Sequence, residues 1–224
     1  MPPFLVFVAS MKMRGERAAP PEGYVAEKIN VTSAQAKNSV DRITFSPMNG
    51  VPYTCPHEGT FKMGFEAYWQ SLKVIFGLDH AKRKEEFWKV IKKPKRRDPK
   101  MKIMKNGRVA GYKRVMHAKH KRFPNRELDY VDSRKQVYVP DYYNLIKDAP
   151  RFLALKNMVQ SGGDASKVVV VYDFDGPKTT EGDVTCERVT VEMLRERIND
   201  TTHPFGHGYV VAAGLAGISP EEYV

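Results

Sequence analysis

Met63-Gly-Phe-Glu-Ala-Tyr-Trp-Gln-Ser-Leu-Lys-Val-Ile-Phe76 carries two stripes when read at helical period. Phe65, Trp69, Leu72 and Phe76 fall at i, i+4, i+7 and i+11, an apolar stripe wide enough to pack onto a core. One residue along, Glu66, Gln70 and Lys73 repeat the spacing. An acid, an amide and an amine therefore project along the edge of an inward-packing face. A partly buried carboxylate needs partners, and that makes Glu66 a candidate for chemistry. The competing reading is an exposed Glu–Gln–Lys ladder on a surface helix, worth a few tenths of a kcal/mol per pair.

The chain has 224 residues, 42% of them hydrophobic and 11% aromatic. That length holds one substantial core, and we read residues 1–224 as a single domain. No apolar run approaches the roughly 18 residues of a membrane-crossing helix. Phe4-Leu-Val-Phe-Val-Ala9 is short and lacks a basic leader, so it reads as a buried strand rather than a secretion signal. With only Cys55 and Cys186, reduced thiols and a cytoplasmic location are the simplest expectation.

Charge is unevenly placed. Residues 82–122 hold 18 Lys and Arg against Glu85, Glu86 and Asp98, a net of +15 within a chain of formal charge +11, so the remainder carries −4. A basic segment on a mildly acidic body implies an anionic partner such as nucleic acid or a phosphorylated metabolite. Lys92-Lys-Pro-Lys-Arg-Arg-Asp-Pro-Lys100 holds two prolines, which rule out a continuing helix. We read 82–124 as a basic, loop-rich insertion. Beyond Lys92 its aromatics, Tyr112 and Phe123, are too sparse to predict a base-stacking platform, and the charge argument reaches only to phosphate contact.

Residues 4–9 and 24–31 read as strands, with 43–47 and 51–54 as further extended pieces. Asn30-Val-Thr-Ser33 offers small polar groups for a turn or a phosphate. Cys55-Pro-His-Glu58 contains metal-ligand types, but no second cluster completes a tetrahedral site. Helices are expected at 79–90 and at 128–138, the latter ending before Pro140, with a new helix beginning at Asp141. Another starts at Pro150 and stops at Ser161-Gly-Gly163, and Thr190 caps a further one.

Lys167-Val-Val-Val-Val-Tyr-Asp-Phe-Asp-Gly-Pro177 is the clearest strand, its four valines fitting burial on both faces. At period two, Asp173 and Asp175 share a face at its C-terminal end. Such a pair can bind a metal, orient a water, or sit solvated. Thr202-His-Pro-Phe-Gly-His-Gly-Tyr209 then leads into a small-residue, apolar helix, where Gly206, His207 and Gly208 let a ligand approach backbone amides. Taken together the pattern is α+β, mainly helical with a small sheet.

Glu66-Ala-Tyr68-Trp69-Gln70-x-x-Lys73 resembles the signature helix of the NADAR (YbiA-like) family, whose studied members cleave N-glycosidic bonds on a small α+β fold. Ala67 stands where that family usually has histidine, and the family's Ser-Asn-Phe piece has no clear match at Phe45-Ser46-Pro47. The resemblance implies Glu66 as the catalytic acid, with Asp173 or Asp175 as a second acid. It further implies Tyr68, Trp69, Gln70 and Lys73 beside the substrate, Tyr130 stacked on the base, Arg108 as the counterpart of a Gly-Arg pair, and Gly206–His207–Gly208 around a phosphate. No metal and no cofactor are implied. The substrate class is a ribosylated or ADP-ribosylated base, in a nucleotide or a nucleic acid, and a phage or defence setting would suit it. Two rivals stand beside this reading. One is a non-catalytic nucleic-acid-binding protein acting through 82–122, and the other is a haloacid dehalogenase-like phosphatase built on Asp173-x-Asp175-Gly176.

Overall fold

A computed structural model describes residues 3–12, 17–32, 39–74, 79–89 and 117–224. The elements in the first half are β1 (Leu5–Ser10), β2 (Val25–Asn30), α1 (Val40–Phe45), β3 (Tyr53–Cys55), β4 (Gly59–Phe61), α2 (Phe65–Leu72), β5 (Lys73–Val74) and α3 (His80–Lys89). After them come β6 (His117–Ala118), α4 (Tyr130–Ser133), a π turn (Arg134–Tyr138), α5 (Val139–Ile146) and α6 (Pro150–Ser161). The chain closes with β7 (Lys167–Asp173), β8 (Cys186–Arg188), α7 (Val191–Asn199), α8 (His207–Leu215) and α9 (Pro220–Tyr223). The architecture is α+β, helices with a small mixed sheet. Among the described residues no helix is long and apolar enough to cross a membrane. Where the sequence reads as one domain, the contacts divide it into two compact units, Met1–Asn49 with Val139–Val224, and Gly50–Tyr138.

In the first unit the sheet runs β2-β7-β1-β8. β7 pairs in parallel with both β1 and β2, while β8 joins β1 antiparallel. Val168 to Val171 are each at most 1% exposed, because β7 has a neighbour on each edge and packing on each face. Phe7, Ala9, Val168, Val170 and Tyr172 form one face with Met11 and Ala18. The alternate residues, Val169, Val171 and Asp173, lie on the other face, where α8 packs against β7 and β1. Burying each valine contributes about 1.5–3 kcal/mol. Every residue of α8 is buried, as its lack of charge predicts.

The 43–47 segment is not extended. Ser39 accepts the Arg42 amide at 3.4 Å and starts α1, a side-chain cap outweighing the β-branched Ile43 and Thr44. Thr190 caps α7 through the Met193 amide at 3.1 Å, and Gly162, at φ 61, ends α6, both as expected.

The second unit gathers aromatic rings around α2. Tyr53 lies 5.0 Å from Phe65 and 4.9 Å from Tyr68 between ring centroids, and Tyr138 lies 5.0 Å from Trp69. Phe65, Trp69 and Leu72 are buried as the stripe predicts. The helix nevertheless stops at Leu72 rather than running to Phe76, which lies outside the described residues. Arg83 of α3 donates to the carbonyls of Lys73 (2.8 Å) and Gln70 (2.6 Å), and the Lys119 amide donates to that of Leu72 (2.9 Å). These donors satisfy the last-turn carbonyls and leave Lys73–Val74 extended, paired with β6. Pro140 does not break the chain's helical course either. The Gln136 carbonyl, four residues before it, accepts from the Arg122 guanidinium at 3.0 Å. A π turn precedes the proline, so the orphaned acceptor is satisfied.

Phe152 is 1% exposed, with ring contacts to Phe45 and Tyr143. Phe152→Ala is expected to cost about 3–5 kcal/mol, read as a lowered urea midpoint.

Candidate active site

Two constellations carry the residues singled out from the sequence, one in each unit. In the second unit Glu66 sits in the first turn of α2 and is half-buried. Gln70, one turn later, donates its amide to Glu66 Oε1 at 2.8 Å. Because Gln70 is itself buried, it holds the carboxylate in a fixed orientation rather than in a fluctuating surface ladder. Lys73 lies past the end of α2. It lies in β5 with its Nζ 5.3 Å from the centre of the Trp69 ring, so its charge rests on an aromatic face. Gly64 precedes the helix at φ 83, a backbone state that favours glycine.

Tyr68 points elsewhere. Its hydroxyl lies 3.0 Å from His120 Nε2, and His120 Nδ1 accepts the Arg122 amide at 2.9 Å. With Nδ1 accepting, the neutral ring carries its proton on Nε2, which donates to Tyr68. Cys55 Sγ is 3.8 Å from the same nitrogen. No sequence signal within Cys55–Glu58 foretold this partner, since His120 is 65 residues away. Trp69 packs against Tyr138 and is buried, which makes it a core residue. Tyr130, expected to stack on a base, has the Arg134 guanidinium 3.8 Å above its ring, so that face is taken. Arg108 lies outside the described residues.

In the first unit, β1, β2 and β7 run parallel and end level, with Ser10 opposite Asp173 and Asn30 opposite Tyr172. The carboxyl ends of parallel strands are where open α/β sheets bind ligands. Here α8 starts against that edge. Asp173 is 2% exposed, and its Oδ2 accepts from the Gly208 amide (2.8 Å) and lies 3.2 Å from His207 Nδ1. His207 Nε2 lies 2.6 Å from the Val31 carbonyl, which can only accept. Both ring nitrogens thus face oxygen acceptors. The helix dipole adds to the stabilisation of Asp173 at the start of α8. Burial holds the Tyr142 phenol well above its ordinary pKa, with the Asp173 charge adding to the effect. Tyr142 therefore stays a donor, bonding the Phe45 carbonyl.

The glycines here are required by space. A Cβ on Gly206 would come within 2.6 Å of both Asp173 Oδ2 and Asp175 Cβ, and one on Gly208 within 2.6 Å of Asp173 Cβ. The strand ends at Asp173, so the period-two expectation does not carry to Asp175, which sits exposed in the following turn. One aspartate is interior and committed, the other superficial. Asn30 Oδ1 accepts from the Thr32 amide and hydroxyl at 3.1 and 2.7 Å, the turn duty among the roles open to that segment.

The match to known families comes from the stretch that holds most of these residues. The chain belongs to a family of unknown function, DUF6939. Its model matches residues 17–188, more than half of the chain. The DUF6939 match encloses Glu66, Tyr130, Asp173 and Asp175, and ends before Gly206–Gly208. No curated protein and no solved structure matches the chain.

Gly206→Ala is expected to destabilise by about 1–3 kcal/mol through overpacking, measured by urea unfolding. The Asp200 turn leading into α8 gives a pH test. Burial raises the Asp200 pKa, but hydrogen bonds from Thr202 and His203 outweigh it and bring the value from 3.8 to about 2. A depressed carboxylate stabilises the fold above its unfolded pKa. The Asp200 contribution should therefore be full above pH 4 and fade as pH falls toward 2. Asp200→Asn should flatten that portion of the thermal-stability profile.

Proposed function

We propose that the chain is an N-glycosidase hydrolysing a ribosyl–base or ADP-ribosyl–base bond, such as ADP-ribosylated guanine. The observation that supports it is the Gln70–Glu66 hydrogen bond, an oriented, half-buried carboxylate at the start of the helix that resembles the NADAR signature. Cleaving the bond between ribose C1′ and nitrogen builds positive charge on the sugar. A carboxylate held in place beside that carbon stabilises the charge or takes a proton from the attacking water. Glu66 carries this role, and Gln70 is a positioning residue. Asp173, in the first unit, holds the start of α8 through Gly208 and His207.

The test is incubation with an ADP-ribosylated oligonucleotide, ADP-ribosylated GTP and a ribosylamino-pyrimidine, following free sugar by mass spectrometry. Release is expected from at least one, falling by about 10²–10⁴-fold in Glu66→Gln with the melting temperature unchanged. No release from any of the three, or release unaffected by Glu66→Gln, would sink this reading.

A further inference from the structure

The second unit holds two adjoining clefts. One, of about 450 Å³, is lined by Lys84, Lys119, His120, Lys121, Phe123 and Arg126 among others. The other, of about 500 Å³, shares Lys84 and Lys121 and adds His57 and Trp88. Their common wall is built on a buried carboxylate. Glu58, with its side chain wholly enclosed, pairs with Lys84 Nζ at 2.5 Å and accepts the Lys121 amide at 2.7 Å. Glu58 thus fixes α3 against the strand-end segment 119–121.

The charged lining of the first cleft is Lys84, Lys119, Lys121 and Arg126 against Glu127 alone. Lys84 is neutralised by Glu58, and Lys119 pairs with Glu127 at 2.9 Å. Among the described residues the Lys121 ammonium has no partner, and the Arg126 guanidinium bonds only the uncharged Gln136 amide oxygen while lying 5.2 Å over the Phe123 ring. Two exposed cations are thus left uncompensated at one rim. At the other, Trp88 is 45% exposed. It sits one turn after Lys84 on the same face of α3, its indole edge against Gly59 at the start of β4. The aromatic surface is supplied by Trp88 of α3, ahead of the Lys92–Lys100 run.

We propose that these clefts form a binding surface for single-stranded nucleic acid, with phosphates on Lys121 and Arg126 and a base stacked on Trp88. Cations beside an exposed ring match the alternation of phosphate and base along a single strand. A duplex hides the base faces that Trp88 would meet, which favours the single strand. The surface does not depend on catalysis at Glu66.

The test is fluorescence titration of the full chain with a thymidine dodecamer, a duplex of equal length, ADP-ribose and inorganic phosphate at several salt concentrations. The chain has two tryptophans, so quenching by the dodecamer that disappears in Trp88→Phe assigns the stacked ring. Lys121→Ala with Arg126→Ala should weaken dodecamer binding at least tenfold and reduce the salt slope by about 1.4, at about 0.7 per phosphate contact on a single strand. Both side chains are exposed and the Lys121 contact to Glu58 is made by its backbone, so the fold should survive. Lys28→Ala with Lys167→Ala, exposed positions of the first unit, is the charge-matched control. Equal losses in the two double variants would overturn the proposal, assigning binding to overall charge, including the basic run at 90–116. Duplex bound as tightly as the single strand without Trp88 quenching would overturn it too, as would binding of ADP-ribose or phosphate with none of the dodecamer.

Discussion

A carboxylate placed in a protein interior must be compensated where it stands, and Asp173 imposes that requirement on the first unit. It ends the central strand, faces the helix side of the sheet and is shut off from water. Its oxygen is met by the Gly208 amide and by His207, whose other nitrogen reaches the Val31 carbonyl at the end of β2. Gly206 and Gly208 are small because the aspartate is close. Strand β7, the turn after β2 and the start of α8 are thus located by one charge. Replacing His207 would leave the buried Val31 carbonyl and Asp173 carboxylate each short of a donor, at about 1–3 kcal/mol per group.

Much of this scaffold could be read in the residues. Four consecutive valines announce a strand buried on both faces, Thr190 and Pro150 mark helix starts, and an uncharged Tyr209–Leu215 reads as interior. Local chemistry decides those features, so local sequence reveals them. What escaped reading depends on partners far along the chain. Arg83 ends α2 ahead of the periodicity, Arg122 takes the carbonyl that Pro140 leaves without its donor, and Ser39 turns an apparent strand into α1.

The candidate site divides along the same line. The Glu66–Gln70 spacing of four is visible in sequence, and the helix realises it directly. Tyr68 and Trp69 share that motif, yet their side chains belong to the aromatic core, Tyr68 held by His120 and Trp69 by Tyr138. Their side-chain directions are set by what packs around α2, which spacing does not encode. Asp173 and Asp175 looked equivalent until the strand ended between them.

The way α2 ends also bears on how it forms. Eight residues are too few to hold a helix alone, since nucleation costs more than so short a ladder returns. Its final carbonyls are satisfied by Arg83 from the following helix and by the backbone of Lys119, beyond the 90–116 segment. The helix that presents Glu66 is therefore complete only once Lys119 has been brought back beside Leu72, an entropic toll that grows slowly with the length of chain between them. α2, α3 and the strand at 117–118 then open and close as one cooperative unit. Protection of the α2 amides against hydrogen exchange is governed by the stability of that whole unit.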